Sequence, residues 1–151
     1  MEKKLKHGID FVGITTTFYC HDGKGNFLLH KRQAASRDEC GVWDTGGGKL
    51  EHGMTLRENV LKEIEEEYGV KGKIDEELPR YEIFREHEGK KTHWIAFPFI
   101  VRIDPKKVRN LEPHKIAEFG WFKFGKFPKP LHTGCAIGLK QNKKYFQKYA
   151  K

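Results

Sequence analysis

The chain has 151 residues, of which 33% are charged and 37% hydrophobic, and its formal net charge is +8. This length suits one domain over residues 1–151 with its own hydrophobic core, and three widely spaced cysteines indicate neither a disulfide framework nor a zinc site. No signal peptide is apparent and no apolar run reaches the roughly 20 residues of a membrane span, so we expect a cytoplasmic protein without membrane partners.

The first predicted elements are two strands and a turn. Residues 9–20 are rich in β-branched and aromatic side chains, and the turn-forming residues 22–26 lead into a second strand at 27–31. A polar loop at 33–41 and a short strand at 42–45 follow.

Three successive glycines end this short strand. Because glycine has no Cβ, its backbone can approach a ligand or a neighbouring helix closely. We expect Gly46, Gly47 and Gly48 to make such an approach, with a plain turn between strands as the alternative.

A capped helix comes directly after the glycines. Thr55 and Glu58 have the spacing of a capping box, and Gly69 suits a left-handed residue at the C-terminus. The pattern therefore predicts a helix from Leu56 to Tyr68.

Three carboxylates project from one side of this helix. At about 100° per residue, Glu63, Glu66 and Glu67 fall on one arc beside the apolar arc. Such a cluster is usually a solvated acidic face, but the glycine loop in front favours a site for metal and phosphate. Mg²⁺, or Mn²⁺ in its place, takes carboxylate oxygens and bridges them to phosphates. We assign all three to the metal, with Glu66 or Glu67 also serving as general base.

Residues 48–70 resemble the Nudix box, G-x5-E-x7-R-E-U-x-E-E-x-G-U with U aliphatic, without insertion or deletion. The three helix carboxylates match its metal-binding glutamates. Met54 stands where the box has its first glutamate, and Lys62 stands where it has arginine. The resemblance implies an α/β/α sandwich with a central catalytic helix, and Mg²⁺-dependent hydrolysis of a nucleoside diphosphate linked to another group.

The second half of the chain predicts a hairpin, a long connection, a strand and a terminal helix. Their ranges are 80–87 with 92–103, 104–117, 118–124 and about 133–150. Pro98 indicates an edge or a bulge, because proline cannot donate to a strand ladder. Strands on both sides of a central helix, with another helix at the end, give an α+β fold with a mixed sheet.

Further candidates lie outside the helix. A fourth carboxylate that acts as base would be Glu118 or Glu112, each with a plain surface role as the alternative. Trp121 is a candidate for base stacking, although aromatic residues on strands usually pack in the core. The remaining substrate-binding candidates are glycine, cationic and aromatic residues: Arg32, Trp43, Gly47, Gly48, Lys49 and Phe97.

The sequence supports three functions. The first is hydrolysis of a nucleoside triphosphate, or another nucleoside diphosphate derivative, to a monophosphate. A second resemblance favours triphosphates, since residues 110–115 and the Trp-Phe that follows are similar to a segment of Nudix triphosphate hydrolases. The positive charge favours a second function, removal of pyrophosphate from RNA 5′ ends. The third is a catalytically silent nucleotide- or RNA-binding module, and a monomer and a homodimer both remain open.

Overall fold

A computed structural model, described for residues 3–34 and 39–150, shows an eight-stranded mixed sheet with helices on both faces. The strands are β1 (Gly13–His21), β2 (Asn26–Arg32), β3 (Trp43–Asp44), β4 (Gly47–Lys49), β5 (Lys73–Glu77), β6 (Tyr81–His87), β7 (Lys90–Arg102) and β8 (Ile116–Lys123). The helices are α1 (Leu56–Tyr68), α2 (Thr133–Gln141) and α3 (Lys143–Phe146). Within the described residues, no helix is both long and apolar enough to cross a membrane.

The sheet is mixed because β1 and β7 run parallel, in register from Gly13 opposite Trp94 to His21 opposite Arg102. The other pairings are antiparallel: β4 and β2 on β1, β3 and β8 on β2, and β5 and β6 on β7. The glycine strand β4 therefore lies beside the first half of β1.

Two hydrophobic cores cover the two faces of the sheet. Side chains alternate along a strand, so Phe18 and Phe99 pack beneath α1, whereas their neighbours Tyr19 and Ile100 pack beneath α2 and α3. This arrangement confirms the predicted α+β fold with an α/β/α sandwich.

Helix α1 has the predicted bounds. The Thr55 hydroxyl accepts a hydrogen bond from the Glu58 amide, and the Glu58 carboxylate accepts one from the Thr55 amide, each at 3.1 Å. Gly69 ends the helix with a φ of 67°. Both end signals are thus local, which is why the sequence locates the helix well.

The prediction of an edge or a bulge at Pro98 is wrong, because β7 lies inside the sheet and pairs with β1 in unbroken register through Pro98. Proline fits there because β6 pairs with β7 only up to Ala96 and β5 pairs with it from Phe99 onward. The Pro98 carbonyl still accepts a hydrogen bond from the Leu78 amide at 2.9 Å. The residue marks the point at which β7 changes partners.

The prediction of one terminal helix is also wrong. The helix breaks at Asn142, whose side-chain amide donates to the Pro79 carbonyl at 3.3 Å, and a short turn follows α3. Ala150 is exposed, whereas Cys135, Leu139 and Phe146 are buried.

Candidate active site

The glycine strand lies directly against α1. A Cβ atom at Gly48 would stand 2.2 Å from Cδ of Glu63, so only glycine leaves room for this carboxylate. Buried Asn59 ties the two elements together: its side chain donates to the Thr16 hydroxyl at 2.9 Å and accepts from the Glu51 amide at 3.1 Å. The Glu63 carboxylate is therefore held at the junction of strand and helix.

The three helix carboxylates differ in burial. The side chain of Glu66 is half exposed, that of Glu63 is largely buried, and Oε2 of Glu67 is buried without a hydrogen-bond partner among the described residues. Burial, followed by the charges of Glu112 and Asp44, raises the pKa of Glu67 well above its ordinary value. Burial and the neighbouring Glu66 also raise the pKa of Glu63. Negative charge at this end of α1 is thus poorly compensated.

Lys62 is the cation nearest these carboxylates. Its ammonium lies 2.8 Å from Glu66 and 2.7 Å from Glu51, and these two hydrogen bonds raise its pKa. Lys62 thus pairs with Glu51 and Glu66 and not with Met54, which occupies the position of the first box glutamate. Glu51, three residues before Met54, supplies the carboxylate instead.

The carboxylates suit a divalent cation in their chemistry. Among the residues that the structure describes, no three His, Cys, Asp or Glu side chains converge closely enough to hold a metal ion, and Glu66 is paired with Lys62 instead. Oε2 of Glu67, however, is a buried carboxylate oxygen to which no residue in 3–34 or 39–150 donates a hydrogen bond, and a cation would satisfy it. Its neighbour Glu63 is a hard oxygen ligand of the kind that Mg²⁺ prefers, so these residues fit the ion.

A cleft of about 230 Å³ opens on the other face of the sheet. Strands β1, β4, β6 and β7 and the start of α2 form its walls. The lining residues are Thr15, Thr17, Arg32, Asp44, Thr45, Gly46, Gly47, Gly48, Lys49, Tyr81, Ile83, Arg85, Trp94, His132, Gly134 and Cys135. Since Gly48 also abuts Glu63, β4 is a wall shared by the cleft and the carboxylates of α1.

Asp44 supplies a negative charge inside the cleft. Its Oδ1 accepts hydrogen bonds from the amides of Thr45 at 2.7 Å and Gly46 at 3.3 Å. Although burial opposes ionisation, the neighbouring imidazole rings of His132 and His30 and the Gly46 amide hold the pKa of Asp44 below its ordinary value. The cleft thus contains a fixed carboxylate that can accept hydrogen bonds from a ligand.

The cleft includes some of the predicted substrate-binding residues: Arg32, Gly47, Gly48 and Lys49. The predicted aromatic residues lie elsewhere. Trp43 packs edge-to-face on Phe122 with ring centroids 5.4 Å apart, and Phe97 and Trp121 pack against the core beneath α1. The rings that do line the cleft belong to Tyr81 and Trp94.

The structure separates the two candidates for a fourth carboxylate. Phe119 and Trp121 of β8 pack on the α1 side, so Glu118, one residue earlier, lies on the opposite face of the sheet and is exposed. Glu118 therefore does not join the carboxylates of α1, which corrects the expectation. Glu112 is partly buried, and its charge contributes to the raised pKa of Glu67.

Sequence reasoning missed three polar residues of the cleft, namely Asp44, Arg85 and His132. Asp44 lies two positions before the first glycine, so its place in the sequence could have predicted that it lies beside the glycine strand. Arg85 on β6 and His132 before α2 are far apart in sequence, and only the sheet topology brings them together.

The structure thus combines a carboxylate-bearing helix, a glycine strand packed against it and a polar cleft on the other face of the sheet. The NUDIX domain family matches residues 13–139, which is most of the chain. The protein therefore belongs to the Nudix hydrolase family, whose members act on nucleoside diphosphate derivatives and generally use divalent metal ions.

Three known proteins show how close the relationship is. The chain is 33% identical over 73 residues to CTP pyrophosphohydrolase from Escherichia coli strain K12, and this match spans about half of each protein, 48% of this chain and 52% of the relative. The MutT NUDIX hydrolase from Burkholderia pseudomallei has 26% identity and a TM-score of 0.75, covering 87% of this chain and 98% of that one. The MutT protein from Methanosarcina mazei Go1 shares the fold, with 23% identity, a TM-score of 0.71 and coverage of 90% and 96%.

Proposed function

We propose that this protein is a Mg²⁺-dependent pyrophosphohydrolase that converts a nucleoside triphosphate to the monophosphate and pyrophosphate. The proposal depends on Oε2 of Glu67, which is buried and has no hydrogen-bond partner in the described part of the chain. The neighbouring Glu63 abuts Gly48, which also lines the cleft. A nucleotide in the cleft would have its phosphates close to these carboxylates.

Glu63, Glu66 and Glu67 would hold the ion, with Mn²⁺ as a substitute for Mg²⁺. When bound, the ion supplies Lewis-acid stabilisation of the phosphates and a template for the attacking water. Glu66 must leave Lys62 to take part, because the two side chains are paired at 2.8 Å.

The protein's own residues supply the remaining chemistry. While Oε2 of Glu67 contacts the ion, the other oxygen of this carboxylate would accept the proton of the attacking water. Glu112 is the second candidate base, as its charge lies close enough to act on Glu67. Lys49 and Arg32 in the cleft wall supply positive charge for the phosphates.

The cleft favours a small base. Its volume of about 230 Å³ lies below the range of roughly 300–1,000 Å³ typical of ligand pockets, so one ring fits better than two. The partly exposed ring of Trp94 is the candidate for stacking on the base, because Tyr81 is almost fully buried. Asp44 can accept a hydrogen bond from an exocyclic amine. The relative named a CTP pyrophosphohydrolase points the same way. We take cytidine triphosphates as the first substrates to test.

The test is a panel of nucleoside triphosphates with Mg²⁺, in which released pyrophosphate is measured through a coupled pyrophosphatase. We expect pyrimidine triphosphates to be hydrolysed fastest and chelator to stop the reaction. A triphosphorylated RNA oligonucleotide belongs in the same panel, because the net charge of +8 suits a polyanion. Hydrolysis of the RNA alone would replace the proposal by RNA 5′-end processing, and no turnover at all would leave a binding module.

A further inference from the structure

The Glu39 carboxylate is bound by several donors at once, two of which, Arg85 and His132, line the cleft. Its Oε1 accepts hydrogen bonds from the Thr133 amide at 2.7 Å and the Thr133 hydroxyl at 2.6 Å. Its Oε2 lies 3.0 Å from Nε2 of His132 and also contacts the Arg85 guanidinium. The carboxylate is only 20% exposed, so an intramolecular anion fills this position.

Each donor is held by regular structure. Nδ1 of His132 accepts a hydrogen bond from the Gly134 amide at 3.1 Å, so Nε2 carries the hydrogen directed at Glu39. Arg85 is paired with Thr92 within the β6–β7 ladder. The Thr133 amide opens the nine-residue helix α2, where the helix dipole favours an anion. The donor set therefore stays in place when the carboxylate leaves.

Glu39 itself is attached differently. It lies in the connection between β2 and β3, and its φ of 45° belongs to the left-handed region that glutamate rarely adopts. The described contacts that hold its side chain all come from Arg85 and the start of α2. Glu39, unlike the residues that bind it, therefore belongs to no strand or helix.

Two of these donors, Arg85 and His132, line the cleft, and Thr133 lies between the lining residues His132 and Gly134. A guanidinium, an imidazole and a helix N-terminus together form a set suited to phosphate oxygens. We propose that these residues form an oxyanion-binding site for phosphate, and that Glu39 occupies it in the free protein and is displaced when a ligand phosphate binds.

Competition from Glu39 lowers the apparent affinity for the ligand. If the carboxylate fills the site at least about 90% of the time, removing it tightens phosphate binding by about tenfold or more. Neither the contacts nor this arithmetic involves the metal or hydrolysis, so the inference can be tested apart from the proposed reaction.

The experiment measures binding of inorganic phosphate by calorimetry and by the shift in melting temperature, with chelator present and ionic strength matched by sodium chloride. We expect Glu39→Ala to bind phosphate at least about tenfold more tightly than the wild type. The double variant Glu39→Ala with Arg85→Met should lose that gain. The matched control is Glu82→Ala. Glu82 lies on β6, the strand of Arg85, and its carboxylate is 2.9 Å from Nε2 of His93, but it does not line the cleft.

Two further arms make the outcome decisive. Glu39→Gln keeps the size of the side chain and an oxygen for the Thr133 amide, so its gain in phosphate affinity should be smaller than that of Glu39→Ala. It provides the test if Glu39→Ala does not fold. Cytidine monophosphate compared with cytidine tests whether a nucleotide phosphate takes the site, since only the former should bind more tightly to the variants. Equal phosphate binding by wild type, Glu39→Ala and Glu39→Gln, or a gain that survives Arg85→Met, would overturn the inference. Hydrolysis measured separately with Mg²⁺ reports on the proposed function alone.

Discussion

At the scale of single residues, Glu67 is unusual because its environment opposes its charge. Burial and the charges of Glu112 and Asp44 raise its pKa well above the ordinary 4.5. The stability linked to this group is fully present below pH 4.5 and is lost as the pH rises through the raised pKa.

Glu67→Gln should therefore be more stable than the wild type at neutral pH without metal, because the amide carries no charge into the buried position. Urea unfolding from pH 5 to 8 with chelator checks this, with exposed Glu65→Gln as the control. A wild-type stability profile parallel to that of Glu67→Gln would contradict it.

The same carboxylates should dominate turnover. We expect Glu66→Gln and Glu67→Gln each to lower kcat by at least about 10²-fold with the fold intact, because an amide keeps the shape and loses the charge that a cation needs. Glu65 is exposed on another side of α1, so Glu65→Gln should stay within a few-fold of the wild type. Steady-state kinetics with Mg²⁺, alongside circular dichroism, provides the measurement. If Glu65→Gln proved equally damaging, the assigned metal face would be wrong.

The contacts of Lys62 make a third prediction. Its partners are Glu51 and Glu66, so a double-mutant cycle of Glu51→Gln with Lys62→Met should show a coupling of about 0.2–1 kcal/mol in unfolding free energy, the range for exposed ion pairs. A cycle of Met54→Leu with Lys62→Met should be additive, because Met54 brings no charge to the pair. Coupling at Met54 and additivity at Glu51 would reverse the assignment.

At the scale of elements, the sequence predicted best those parts whose determinants are local. The start and end of α1 follow from Thr55, Glu58 and Gly69, all within a turn of the helix. The sequence of β5 is mostly charged and does not indicate a strand. This segment is a strand because it pairs with β7. Asn142 ends α2 through a contact with Pro79, a residue far away in the chain.

The candidate site divides in the same way. Helical geometry predicts that Glu63, Glu66 and Glu67 lie on one side of α1, while their role as metal ligands stays a prediction. Arg85 and His132 meet only because β6 and α2 adjoin in the folded sheet, and no spacing in the sequence encodes that. Trp43 and Phe97 were predicted to bind the substrate but pack in the core, because the sequence does not indicate which face of the sheet an aromatic side chain occupies.

The junction between β4 and α1 gives a prediction at this scale. In Gly48→Ala the new methyl group would meet Cδ of Glu63, the end of a flexible side chain, so Glu63 should move while the fold survives. We expect a loss of stability within about 1–3 kcal/mol and a large loss of Mn²⁺ affinity. Calorimetric titration with Mn²⁺ checks it. Adding Gly48→Ala to Glu63→Gln should cost no further affinity, and an additional loss would point to a different cause.

At the scale of the whole molecule, the two cores do not depend on a metal. Phe18 and Ile64 pack on one face of the sheet and Tyr19 and Phe146 on the other, without help from the carboxylates. Chelator should therefore abolish turnover while the melting temperature falls by no more than a few degrees. Thermal unfolding followed by circular dichroism, with and without chelator, gives the answer, and cooperative unfolding on chelation would show that the ion is structural.

The shared wall formed by β4 also affects how the enzyme can change over generations. Under the proposed function, reactivity would depend on α1 and ligand choice on β6, β7 and the start of α2, on the far side of the sheet. Substitutions at partly exposed cleft residues such as Trp94 would then leave the carboxylates undisturbed, as long as the glycines between them are kept. A chain built this way can acquire a new substrate while its cleavage machinery is inherited intact.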